Sequence, residues 1–444
     1  MRFLNFLVFL FVFGCGEGRQ KQAAKPPEKE YADLTVKQVF NPDSIYNDET
    51  GSFYFPSSHQ KDSLICLLFF DPQGKGSKPI SLYQQLAFKY GILLAGSNIS
   101  RNGLSFPETR EISQNLMLEI RNRFVPGVKH ISFYLSGFSG GAKVAFDAAE
   151  NGSEKVEGII YAGAPAAGGS VQKSVFGFAG RMDMNLADVV QFDATLPETI
   201  PHYLQIWDGK HEWPSPGEFD SALKWIFWKE TRDFQHADKE IKSMVQNAKR
   251  LRDPILKERI LLKASFLSKD MSRTDLAKDP LSKLRAESAW ETARQLAMTE
   301  NQTELKLKEE YSQAFFKNDI DWWKSEILLL QTHQKALPKN MQERILGFFS
   351  LAAYSLSNRA LQQNEDAMAE KILEIYRLSD PSNSEQAYLR AILAARRQQA
   401  DLAMTAITEA LSLGFKDKTR LEKQPEFQLL KGSPTYRKML DAMH

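Results

Sequence analysis

Residues 130–150 read HISFYLSGFSGGAKVAFDAAE, and this stretch decides the fold. The run from His130 to Ser136 is apolar, β-branched and aromatic, as a strand requires. Residues 141–150 (GAKVAFDAAE) are alanine-rich helix formers. Between them lies Gly137-Phe138-Ser139-Gly140-Gly141, a G-x-S-x-G sequence. The pentapeptide alone is weak, because small residues are common. Flanked by a strand and a helix it becomes specific: a tight strand–turn–helix that leaves no room for Cβ atoms beside the serine and lifts its hydroxyl above a sheet.

Working outward, residues 31–230 alternate β-rich runs with helical stretches, the pattern of an α/β sheet. Leu64–Phe70 (LICLLFF) is continuously apolar, as a strand buried on both faces must be. Gly91–Gly96, Ile131–Leu135, Val156–Tyr161, Ser174–Phe178 and Tyr203–Trp207 are further strand candidates, with helices such as Glu108–Phe124 and Gly140–Glu150 between them. Thr35 to Phe55 offers one or two edge strands. With the elbow at Ser139, the region 60–230 resembles the α/β-hydrolase family.

That resemblance implies chemistry. A serine hydroxyl is a poor nucleophile until a base takes its proton, and in this fold the order is serine, acid, histidine. His202, His211, His236, His333 and His444 follow Ser139. His202 precedes a strand, and the last three lie in a helical half, so His211, in the loop after the last strand run, is the expected base. Residues 209–214 (GKHEWP) also resemble the G-x-H-x-W-P segment of esterases related to polyhydroxybutyrate depolymerases and feruloyl esterases. The acid belongs after the preceding strand, where Asp183 stands in a G-x-x-D-x-N pattern similar to the acid loop of these esterases. Asp208 and Asp193 compete: Asp208 is only three residues from His211, and Asp193 falls on the following helix.

A tetrahedral intermediate needs two N–H donors. One is expected from Gly140, the residue after the nucleophile. The other belongs to the loop Asp71-Pro72-Gln73-Gly74-Lys75-Gly76, with Gln73 the chosen donor and Gly74 close behind. Many relatives carry His-Gly where this chain has Gln73-Gly74; backbone donors tolerate that change. Asn98, Ser100 and Asn102 follow the next strand and either face the pocket or form turns.

From about Asp233 the texture changes: strand runs and glycines nearly vanish, and apolar residues recur at helical spacing. Tyr354 matches Tyr388, Ala369 matches Ala403 and Leu373 matches Ile407, each 34 positions apart. These residues resemble tetratricopeptide repeats, whose small residues let paired helices approach closely. The reading divides the chain into a helical connecting region, 231–345, and helical repeats, 346–444, able to bind a protein partner. Phe315-Phe316 and Trp322-Trp323 read as helix-packing core.

Residues 1–14 (MRFLNFLVFLFVFG) carry one Arg and an apolar run too short to span a bilayer. This is a signal segment, and Val12-Phe13-Gly14-Cys15 resembles the bacterial lipobox, which implies lipidation of Cys15. Residues 15–30 are a polar tether. The implied location is the bacterial cell envelope, with the outer membrane preferred because Gly16, not Asp, follows Cys15. Cys66 lies in an apolar run and reads as core.

The balance of 57 Lys+Arg against 55 Asp+Glu argues against a nucleic-acid partner, and two cysteines exclude a disulfide scaffold. His211-Glu212 does not extend to H-E-x-x-H, and Gly14–Gly18 follows no strand, so neither a zincin nor a dinucleotide site is read. The expectation is an α/β-hydrolase sheet flanked by helices, followed by an all-α tetratricopeptide-like domain. Its function would be a lipid-anchored serine hydrolase of a carboxylic ester, with Ser139, His211 and Asp183 needing no cofactor or metal. The short stretch 161–174 leaves no room for a large cap, which favours exposed esters on a polymer or glycan, or small soluble esters. The alternative is an interaction protein whose helical repeats bind a partner. A peptidase of similar fold is a third possibility, disfavoured because 31–60 cannot hold the additional large domain that most of them carry.

Overall fold

The computed structural model describes residues 42–59, 63–124, 128 and 130–443. The expected signal segment, Cys15 and the tether lie outside them. Eight strands form one sheet: β1 (Ile45–Asn47), β2 (Gly51–Tyr54), β3 (Ser63–Phe70), β4 (Ile92–Ser97), β5 (His130–Phe138), β6 (Val156–Ala162), β7 (Ser174–Gly180) and β8 (His202–Trp207). Their spatial order is β1-β2-β4-β3-β5-β6-β7-β8. β2 runs antiparallel to both neighbours, and every pairing from β4 through β8 is parallel. This is the α/β-hydrolase arrangement. The stretch Thr35–Phe55 supplies β1 and β2 at the edge.

Parallel strands need crossovers, and the helices supply them on both faces. β3 shows why its sequence has no polar gap. Ile65, Leu67 and Phe69 face one layer, and Leu64, Cys66, Leu68 and Phe70 the other, all but Ile65 fully buried. Cys66 is therefore core, and burial pushes its thiol pKa up. One layer is covered by α1 (Ser77–Tyr90) and, after β8, α5 (Pro216–Thr231); the other by α2 (Phe106–Glu119), α3 (Gly140–Asn151) and α4 (Leu186–Thr195). Ser105 starts α2 with a reciprocal capping box to Glu108, which satisfies two backbone donors at the helix start. The run expected as one helix to Phe124 ends its α-helical part at Glu119 and finishes in a π-turn, Ile120–Phe124.

The described residues divide into two compact units, one ending at Thr303 and the other beginning at Glu304. The sheet's unit thus extends well past Glu230. α6 (Phe234–Ala248), α7 (Pro254–Asp270) and α8 (Lys278–Arg285) belong to the same buried layer as α1 and α5. On α7, Phe266 packs against Trp225, Phe176 and Tyr203 with ring centroids 5.2, 5.7 and 6.4 Å away. Asp270 closes the same helix, accepting from Trp225 Nε1 (2.7 Å), from Ser174 Oγ and from the Lys229 ammonium (3.0 Å).

The second unit is helical: the end of α9 (Ser288–Lys317), then α10 (Ile320–Gln331), α11 (Lys339–Gln362), α12 (Asp366–Ser379), α13 (Ser384–Arg396), α14 (Ala400–Ser412), α15 (Lys418–Lys423), a 3₁₀ turn and α16 (Pro434–Asp441). α11 packs on α12, and α13 on α14. Ala369 and Ala403, 34 residues apart, are both fully buried, as are Leu373 and Ile407 almost completely. Each aromatic pair splits: Phe315 and Trp323 pack against each other in the core, tilted with ring centroids 4.7 Å apart, while Phe316 and Trp322 stay exposed. No described helix is long and apolar enough to cross a membrane.

Candidate active site

Three sheet-end loops meet above the C-terminal ends of β5, β7 and β8. After β5 the chain turns sharply. Ser139 sits at φ 53°, ψ −121°, a conformation an L-residue adopts only under constraint. Its N–H is held by Ala162 O (2.8 Å). Close approach explains the glycines: a Cβ on Gly137 would lie 2.0 Å from Gly141 O, and one on Gly141 would lie 1.9 Å from Phe70 O. The turn fits against β3 only without those atoms.

After β7, Asp183 lies in a turn closed by its own N–H to Gly180 O (3.0 Å) and is 1% exposed. Its Oδ1 accepts from Asn185 N–H (2.8 Å), while Asn185 Nδ2 donates to Gly163 O (2.7 Å). After β8, the loop carrying His211 is zipped to the acid loop by Arg181 N–H to Trp207 O (2.8 Å) and Met182 N–H to Gly209 O (2.9 Å). The result is a continuous hydrogen-bonded line. Ser139 Oγ is 3.0 Å from His211 Nε2, and His211 Nδ1 is 2.9 Å from Asp183 Oδ1. Protonated at Nδ1, His211 would donate to Asp183 and offer Nε2 as the acceptor for the serine proton. Phe138 flanks the imidazole, ring centroids 4.7 Å apart.

The competing residues stand elsewhere. Asp208 is turned to solvent and pairs with Arg181 (3.2 Å). Asp193 lies on α4, where burial pushes its pKa up to about 6 while nearby His202 pulls it down. The His202 Nδ1–H faces its own strand entry and donates to Ile200 O (2.8 Å). Lys143, one turn beyond Ser139 on α3, has its ammonium pKa lowered by burial, opposed by Asp188.

The donor loop after β3 differs from expectation in detail. The Gln73 N–H donates to Asp71 Oδ1 (2.9 Å), and the Gly74 N–H to Asp71 O (3.0 Å). Gly76 N–H goes to Asn98 Oδ1 (3.1 Å). Gln73 and Gly74 thus use their amides inside the loop. The reason is the acid at position 71, which folds the turn around itself. The Lys75 N–H finds no acceptor among the described residues. Gly140, first residue of α3, has no intrahelical acceptor for its N–H. Asn98 is structural: it also accepts from Ser52 Oγ (3.0 Å) and donates to Asp48 O (2.8 Å). Ser100 is buried, its N–H on Ser97 Oγ (3.0 Å). Asn102 alone of the three reaches the site, its side-chain oxygen lying 1.8 Å from where a Gly140 Cβ would be.

Sequence reasoning passed over Asn185, Trp213 and Asp71. The first two stand inside the quoted G-x-x-D-x-N and G-x-H-x-W-P patterns; Asp71 carries no pattern at all.

No family model matches the chain, and no curated protein does. Solved structures are similar over part of it. Est1E from Butyrivibrio proteoclasticus is 11% identical with a TM-score of 0.34, covering 42% of this chain and 98% of that one. FphF, a fluorophosphonate-binding serine hydrolase of Staphylococcus aureus, is 12% identical with a TM-score of 0.33, covering 41% and 96%. XC6422 from Xanthomonas campestris, described as an α/β serine hydrolase without lid, is 16% identical with a TM-score of 0.32, covering 41% and 91%.

Proposed function

We propose that the chain is a serine hydrolase that cleaves a carboxylic ester. The observation that carries this reading is the line Ser139 Oγ–His211 Nε2, His211 Nδ1–Asp183 Oδ1, at 3.0 and 2.9 Å, drawn from three separate strand ends. Ser139 Oγ attacks the ester carbonyl as His211 Nε2 takes its proton. Asp183 holds the imidazole and balances the imidazolium charge. The oxyanion is received by the N–H of Gly140 and, in place of Gln73, the N–H of Lys75. The C–O bond to the alcohol then breaks, and the proton on Nε2 passes to the departing oxygen. A water, deprotonated by His211, attacks the acyl-enzyme; the acid leaves and the proton returns to Ser139.

Only Gly163–Lys173 separates β6 from β7, which supports an open site and hence an ester carried on a polymer or glycan, or a small soluble one. Lipidation at Cys15, an envelope location and tetratricopeptide-like repeats complete the proposal. The protein partner proposed for the repeats rests on their helix-pair pattern, α11 on α12 and α13 on α14.

A fluorophosphonate probe on the full chain tests the enzyme reading. Wild type should label and hydrolyse chromogenic esters. Ser139→Ala should not label, and its kcat should fall by at least about 10³-fold. A folded wild type that does not label refutes the proposal.

A further inference from the structure

Asp71 follows β3, opens the donor loop and is 3% exposed, yet the triad does not use it. Its two carboxylate oxygens reach in different directions. Oδ1 accepts the Gln73 N–H of the donor loop (2.9 Å), and Oδ2 accepts the Trp213 indole Nε1–H (3.0 Å). Trp213 lies two residues after His211, in the base loop. No cation is paired with Asp71 among the described residues. A buried carboxylate without a cation is a costly way to hold a turn, and a neutral side chain would serve a single loop with less desolvation. What a neutral side chain cannot do is accept from two opposed N–H donors through two equivalent oxygens.

The rest of the base loop is fixed around this bond. The Trp213 ring packs on Phe69 (5.6 Å), Tyr83 (6.3 Å) and Phe138 (5.6 Å). Tyr83 Oη donates to Pro214 O (2.7 Å). Phe138 is the ring that flanks His211. We infer that Asp71 is a positioning residue that bolts the oxyanion-donor loop to the His211 loop, so that the proton acceptor and the oxyanion donors are held as one body. This rests on the triad reading above. Asp71 touches neither Ser139 nor the ester; it acts through Gln73 and Trp213. The transition state needs the base and the donors in register at the same moment, whereas ester binding alone does not.

The test is a double-mutant cycle on the full chain with p-nitrophenyl acetate. In Asp71→Asn the amide oxygen can serve one donor, and its NH₂ then confronts the other. Loosening the register should lower kcat about 10- to 100-fold with KM within about twofold. Trp213→Phe keeps the ring packing and removes only the N–H; kcat should fall about 10-fold, again with KM held. In the double variant, Asp71→Asn with Trp213→Phe, the introduced amide NH₂ meets a carbon instead of an N–H. Its kcat should therefore stay within about threefold of Trp213→Phe alone, far above the product of the two losses. Fluorophosphonate labelling should persist but slow in each variant.

Asp71→Asn with unchanged kcat overturns the inference. So does a multiplicative double variant, or a loss confined to KM. If Asp71→Asn does not fold, Trp213→Phe decides alone: full kcat refutes, a KM-neutral loss supports. An active wild type whose Asp71 variants are silent removes only this inference. A wild type that neither labels nor hydrolyses removes the hydrolase reading with it.

Discussion

Phe266→Ala probes whether α7 is part of the sheet's own core. Phe266 is 2% exposed and touches three aromatic rings of the sheet layer, on β7, β8 and α5. Truncating a buried Phe to Ala costs about 3–5 kcal/mol, from the lost burial and the cavity left behind. The site is hemmed in by Trp225 and Tyr203, large rings with few rotamers, so little collapse should offset that cost. For a unit of this size each kcal/mol moves the midpoint by roughly 2–4 °C, giving a shift of about 10 °C. Two compact units make whole-chain unfolding a poor two-state signal. The assay should therefore follow fluorophosphonate labelling or ester hydrolysis that survives a temperature ramp, which reports the unit holding Ser139. Leu276→Ala, at an exposed position of the same unit, is the control and should move the midpoint by less than about 2 °C. A Phe266→Ala midpoint as close to wild type as the control's would refute the reasoning: α7 would then be an appendage to a sheet complete at α5.

Two further outcomes are expected. Gly141→Ala should cost upward of about 4 kcal/mol, seen as lost soluble yield, because the added carbon falls 1.9 Å from Phe70 O; Gly217→Ala, whose nearest neighbour is 3.8 Å away, should be silent. Asp193→Asn should stabilise the unit holding Ser139 at pH 7.5 by on the order of 1–3 kcal/mol, read as fluorophosphonate labelling that survives a denaturant titration, since burial lifts the carboxyl pKa to about 6. The native state then holds a proton that the unfolded chain releases above about pH 4, so this acid's contribution to stability falls as pH rises from 4 to 6. The variant's advantage should vanish below pH 4, and an advantage independent of pH would overturn this account.

The strands were legible because burial on both faces leaves no alternative to an unbroken run such as Leu64–Phe70. The elbow was legible because only glycine fits where Gly137 and Gly141 meet backbone carbonyls. The positions of Ser139, Asp183 and His211 were implied by the resemblance to α/β-hydrolases together with the order of the strand runs, and the structure brings the three within hydrogen-bond reach. The donor loop was not legible in the same way. Which amide is free depends on where the Asp71 carboxylate points, and a lone acid after a strand has no periodicity to read. Helical spacing in α7 announced a buried face but not its cover. Its buried set, Leu261, Ala264, Ser265, Phe266, Leu267 and Ser268, includes two serines and nearly encircles one turn, so no single stripe named the sheet as partner.

The placement of α6, α7 and α8 has a consequence for how the molecule is made. A chain emerging amino end first, from a ribosome or a translocation pore, finishes β8 and α5 before the helices that cover Phe176, Tyr203 and Trp225 exist outside. At about 5–20 residues per second, the stretch from Arg232 to Arg285 takes on the order of 3–10 s to follow. During that interval a wall of aromatic rings faces water, complete in its hydrogen-bonded strands and bare on one side. Holding chaperones, or crowded sister chains, have that long to find it.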